Sequence, residues 1–95
     1  MSTSLSPSER EDLRKVVLAY LAARSTGAFD AAQIRATLLR RRDLDFAPTT
    51  EDVEAAATFM VGRGWVRRVD SEFGASSPFQ VTPDGVVHAE RVGLC

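Results

Sequence analysis

Apolar positions along the chain change their period once, and the change divides the sequence. Leu13, Val16, Val17, Tyr20 and Leu21 recur at the three- and four-residue intervals of a helix that buries one side. Ser6-Pro7-Ser8-Glu9 precedes them. Ser6 is placed to cap, Pro7 to open the first turn, and Glu9 to close a reciprocal capping box. Ser25-Thr26-Gly27 ends the run, which predicts a helix over 7–24. A second start follows, with Asp30 as cap, Gln33 three residues on, and Ile34, Leu38 and Leu39 as the apolar stripe through Arg41. A short extended piece at 27–29 precedes it. A charged connector closed by Pro48 leads to Thr49 and Thr50, either of which caps a third helix. In that helix Val53, Ala57 and Met60 mark the buried stripe, Ala56 and Val61 flank it, and Gly62-Arg63-Gly64 ends it.

Beyond Gly64 the period is that of strands. Trp65-Val66-Arg67-Arg68-Val69 is rich in strand formers, and Phe79-Gln80-Val81-Thr82 alternates apolar and polar. The stretch 70–78 between them is rich in turn residues and too long for a tight hairpin. Thr82-Pro83-Asp84-Gly85 reads as a turn before a short last helix over 86–91. The expected layout is a polar tail over 1–6, one domain over 7–92, and a short tail over 93–95.

That order, three helices followed by a two-stranded hairpin and a short helix, resembles the α+β winged helix. The likeness sharpens at Val53, Ala57, Met60, Gly64, Trp65 and Val66. In winged-helix proteins a β-branched residue, two apolar residues and then Gly-Leu-Val lead from the third helix into the first wing strand. Trp65 stands here at the leucine position, and Ala57 is smaller than the usual residue. Phe79-Gln80-Val81-Thr82-Pro83-Asp84-Gly85 is similar to the second wing strand and the Thr-Pro-Glu-Gly turn after it. A narrower likeness is to compact winged-helix accessory proteins of Mu-like prophages, which have similar length and little beyond the core domain. The resemblance implies double-stranded DNA as partner, a role as transcriptional regulator or phage accessory factor, and assembly as a dimer.

Composition bears on that implication. The 95 residues hold 12 basic and 13 acidic side chains, a net charge of −1, so no global field draws the protein to nucleic acid or to an anionic membrane. Eleven of the twelve bases are arginine, counted along the chain, and where they stand matters more than their sum. The face of the third helix opposite its apolar stripe is expected to present Thr50, Glu51, Glu54, Ala55 and Thr58, with Asp52 near its edge. Carboxylates there oppose phosphate, although a single Glu or Asp can accept from a cytosine amine; alternatively Glu51 and Asp52 only stabilise the helix end. Arg40, Arg41 and Arg42 before the helix, and Arg67 and Arg68 in the first strand, supply the positive charge. Together with Thr49, Thr50, Glu54 and Thr58 they form the expected DNA-contacting set. Alternatively Arg40, Arg41 and Arg42 are a solvated helix end paired with Asp43 and Asp45. Neighbouring strand residues face opposite ways, so only one of Arg67 and Arg68 can join a shared partner. A different use of the same fold is as a protein-interaction module, with the acidic third helix meeting a basic partner.

Other chemistry finds little support. His88 is the single histidine and stands on the last helix without further metal ligands; Cys95, the single cysteine, has no fixed base. Gly62-Arg63-Gly64 follows a helix rather than a strand, so it is no phosphate loop. Neither catalytic residues, cofactor nor metal are expected. The longest apolar run, 16–23, is far short of the ~20 residues that span a bilayer, and no secretory signal opens the chain, which points to the cytoplasm. The aromatics Tyr20, Phe29, Phe46, Trp65 and Phe79 are expected in the core, Trp65 at the junction of third helix and wing. Phe59 falls off the main stripe and Phe73 in the loop. Val17, Tyr20 and Leu21 broaden the apolar side of helix one, which suits either a homodimer interface or a helix buried on two sides.

Overall fold

A computed structural model describes residues 5–42, 44–69 and 78–94. Six elements follow in order: α1 (Pro7–Ala23), α2 (Ala31–Arg41), α3 (Thr50–Gly62), β1 (Val66–Arg68), β2 (Phe79–Val81) and α4 (Pro83–Arg91). The stretch expected as a wing loop, with Phe73, lies largely outside the described residues, as does Asp43.

Reciprocal side-chain caps start the first three helices. The Ser6 hydroxyl accepts from the Glu9 amide at 3.2 Å and Glu9 accepts from the Ser6 amide at 3.0 Å. Asp30 and Gln33 repeat the arrangement at 2.8 and 3.0 Å. Thr49, not Thr50, caps α3, accepting from the Asp52 amide at 3.1 Å while the Asp52 carboxylate accepts from the Thr49 amide at 3.0 Å. Asp52 is consequently buried rather than at the edge of an exposed face. Its carboxylate satisfies a free amide at the positive end of the helix.

Both α3 and α4 end in the same way. Gly64 at φ 82° and Gly93 at φ 80° take the left-handed conformation, which costs glycine nothing. The Trp65 amide then donates back to Met60 at 3.1 Å, and the Leu94 amide to Ala89 at 2.8 Å, closing the last turn. After α3 this turns the chain directly into β1. The register pairs Val66 with Val81, Arg67 with Gln80 and Arg68 with Phe79, antiparallel. Phe29 adds a third, one-residue strand. Its amide donates to Phe79 at 2.9 Å and the Phe79 amide donates to it at 2.8 Å, as the extended reading of 27–29 anticipates.

The core is one cluster. Leu13, Val17, Leu18 and Leu21 of α1 meet Ile34 and Leu38 of α2, Val53, Ala57 and Met60 of α3, Val66, Phe79 and Val81 of the sheet, and Ala89 of α4. Helix α1 packs against α3, α4, β2 and α2 in turn, so it needs apolar residues on more than one side. This corrects the dimer assignment: Val17, Tyr20 and Leu21 are buried inside the protomer and leave no apolar surface there for a second copy. Leu39, placed on the α2 stripe, is exposed instead.

Two further corrections concern the last helix. Residues 82–85 are not a turn, because the helix already begins at Pro83 with Thr82 as its cap. The Thr82 hydroxyl accepts from the Gly85 amide at 3.0 Å and donates to the Gly64 carbonyl at 2.6 Å, tying the start of α4 to the end of α3. Thr82→Ala is expected to cost about 1–2 kcal/mol, since cap and tertiary bond are lost together; thermal melting checks it. Trp65 is half-buried rather than enclosed, since Val66 takes the inward position at the junction. Its indole stacks on His88, with centroids 3.8 Å apart and planes 10° from parallel, which takes His88 off the open surface.

Candidate nucleic-acid interface

The outer side of α3 presents Thr50, Glu51, Glu54, Ala55 and Thr58, all exposed as the helical period requires. Thr49 is exposed too, but its hydroxyl is held in the cap. What the pattern along the chain does not reveal is how the first wing strand reaches this face. Arg68 donates to the Thr58 hydroxyl at 2.9 Å and stands 3.8 Å from the Glu54 carboxylate. Its guanidinium also lies 4.7 Å from the centroid of Phe79, its cross-strand partner. One arginine therefore joins β1 to α3 and offsets part of the helix's negative charge. The pair is solvent-exposed, so it contributes at most about 1 kcal/mol to stability. Its main effect is on the local field.

Arg67 points the other way, as strand alternation demands. It donates to the Gln80 side chain at 2.6 Å, and Gln80 donates in turn to the Ser25 carbonyl at 3.1 Å. Of the expected set, the structure brings Glu54, Thr58 and Arg68 into contact and takes Arg67 to the opposite face of the hairpin. Gln80 as the partner of Arg67 was missed in the sequence. Only the strand register reveals it.

Arg40, Arg41 and Arg42 are exposed at the C-terminal end of α2, where cations face the negative pole of the helix. The connector after them is pinned by Arg35, which donates to the Pro48 carbonyl at 2.8 Å, so the middle of α2 is tied to the residue before the cap of α3. Arg42 is unusual. It closes α2 at φ 56°, ψ 44°, a conformation in which glycine or asparagine is the common residue. Arg42→Gly is expected to stabilise the fold by about 0.5–1 kcal/mol, read as a rise in melting temperature. A fall would show that the arginine side chain is itself a structural element. Among the described residues no group of three or more His, Cys, Asp or Glu is arranged to hold a metal ion. No helix there is long and apolar enough to cross a membrane.

No family model matches the chain, and no curated protein matches it in sequence. Solved structures do. The crystal structure of SSV1 F-93 superposes with a TM-score of 0.64 over 99% of this chain and 88% of its own, at 18% identity. A transcriptional regulator from Clostridium thermocellum superposes with a TM-score of 0.72 over 94% of this chain and 84% of its own, at 12% identity. The fold is a winged helix. Within it, α3 is the third helix of the core and β1–β2 form the base of the wing. At these identities the likeness concerns the backbone, and the winged helix carries its own side chains on α3.

Proposed function

We propose that this winged helix binds double-stranded DNA, acting as a small transcriptional regulator or phage accessory factor by binding rather than by catalysis. The observation that supports this best is Arg68. It places a cation against Glu54 and Thr58 on the outer face of the helix that would enter the major groove. Arg40, Arg41 and Arg42 supply further charge from the end of α2. Three or four phosphates neutralised per protomer would give a slope of log affinity against log salt of about −3 to −4. Replacing Arg40, Arg41 and Arg42 with alanine should flatten that slope and weaken all sequences alike. Glu54→Gln should tighten binding, because it releases Arg68 from its ion pair to reach phosphate. A regulator of paired half-sites would assemble as a dimer through a surface other than the buried Val17, Tyr20 and Leu21, and sedimentation at micromolar concentration should then report about twice 10.4 kDa.

The second reading is a protein-interaction module without DNA. It draws on the exposure of Glu51 and Glu54, two carboxylates on one helix face suited to a basic partner. Titration of mixed-sequence duplex at ~50 mM salt separates the readings, since electrostatic binding is strongest there. No binding by the parent or by the Glu51→Gln, Glu54→Gln chain would overturn the DNA proposal in favour of the module.

A further inference from the structure

A second surface feature lies away from the outer face of α3. A groove of about 380 Å³ runs between α1, the last turn of α3 and α4. Phe59 borders it, about 140° round the helix from Glu54, so the two surfaces are distinct. The groove is floored by rings and rimmed by cations. The Trp65–His88 stack forms one wall. Phe59 is exposed at 41%, with the Arg14 guanidinium 3.8 Å from its centroid. Arg63 stands between the two, 5.2 Å from the Trp65 ring and 5.9 Å from Phe59. Lys15 completes the rim, and Glu11 is the carboxylate that lines it. Among the described residues that line it, three cations stand against one carboxylate, a local excess of positive charge on a chain whose net charge is −1.

The chemistry of the groove selects its occupant. A guanidinium lying over a ring keeps its N–H donors in its own plane, free to grip a carboxylate. The groove is partly open to solvent, whereas small-molecule sites bury roughly 70–90% of their ligand. Nucleobases need free ring faces for stacking. Here Trp65 and His88 each give one face to the other, and Phe59 gives one to Arg14, so the rings offer a base fewer free faces. Apolar surface and carboxylate-binding donors stand side by side in it. We propose that the groove docks an acidic segment of a partner protein, with an apolar side chain against Trp65 and Phe59 and flanking carboxylates on Arg14, Lys15 and Arg63. This is independent of DNA binding on α3.

Trp65 is the single tryptophan, so its emission reports the groove directly. The probe is the peptide acetyl-Glu-Asp-Leu-Phe-Glu-Asp-amide, titrated to about 1 mM at ~50 mM salt. A saturable change in Trp65 emission is expected. Affinity should fall at least roughly five-fold with Lys15→Glu or Arg63→Glu, and as much with the peptide whose acids are changed to amides. Both side chains are exposed, and an unchanged melting temperature will show that each variant folds. The peptide with alanines for its leucine and phenylalanine should also bind more weakly. No saturable change, or equal binding by the amide peptide or by the charge-reversed chains, overturns the proposal. So does tighter binding of benzoate or of an oligothymidylate of about ten nucleotides, which would make this a small-anion or single-strand site. Displacement of the peptide by self-association would assign the groove to a second copy and overturn it too. No duplex is present in the titration, so its failure leaves the DNA proposal standing, and the converse holds.

Discussion

Phe79→Ala is expected to lower the melting temperature by roughly 15–30 °C, the largest effect of any single truncation considered for this winged helix. Phe79 is 1% exposed and occupies the middle of the small sheet, bonded to Phe29 on one edge and paired with Arg68 on the other. Its ring fills the space between the sheet and the helices, and the backbone around it is held on both sides, so little can collapse into the void. Truncating a buried phenylalanine costs about 3–5 kcal/mol when the site cannot relax. A domain this size has only about 5–10 kcal/mol in total. Trp65→Ala should cost less, about 2 kcal/mol, because the indole is only partly buried at the edge of the core, stacked on one histidine ring. Leu39→Ala, at an exposed position, should change stability by less than about 0.5 kcal/mol. Thermal denaturation of the three variants checks the ranking. A Phe79→Ala chain that melts with the parent would mean that β2 does not sit on the core.

The second large effect has a sign that distinguishes it from a local one. In an ordinary helix interior, glycine to alanine gains up to about 1 kcal/mol. Gly85→Ala is expected to lose about 3 kcal/mol instead. A Cβ there would meet the Val81 Cγ2 at 2.8 Å and the Trp65 carbonyl carbon at 2.9 Å, with the carbonyl oxygen closer still. That oxygen cannot retreat, because it accepts from the Thr82 amide at 2.9 Å. The added methyl must push α4 off the junction of α3 and β1, and overpacking against fixed backbone costs about 1–3 kcal/mol or more. The melting temperature should then drop by roughly 10–20 °C. A rise would show that α4 is not seated on that carbonyl.

Gly85 also shows where a linear reading fails. Thr-Pro-Asp-Gly has the composition of a turn, and proline followed by glycine argues locally against a helix. The same residues serve as cap, first turn and close-packing position once Trp65 lies beneath them. Asp52 is a similar case. As part of the run Glu51-Asp52 it reads as one more surface acid, yet its bond to the Thr49 amide takes it out of solvent. At the candidate site, the alternation of Arg67 and Arg68 was legible, whereas the reach of Arg68 to Glu54 was not, since that pair depends on how closely β1 follows α3. Arg14 over Phe59 depends likewise on the packing of α1 against α3.

By itself the sequence determined the features that are local. Capping boxes at Ser6 and Asp30, a threonine cap at the start of α3, helical stripes, the change to strand period and the glycine that ends α3 need no more than a few neighbouring residues. Their order was enough for the winged helix. Tertiary structure decided which of several possible faces each element uses. It turned Val17, Tyr20 and Leu21 inward because four elements surround α1. It sent Arg68 to α3 and Arg67 to Gln80, and it stacked Trp65 on His88. Those outcomes follow from contacts between segments far apart in the chain, whose distances no local period encodes.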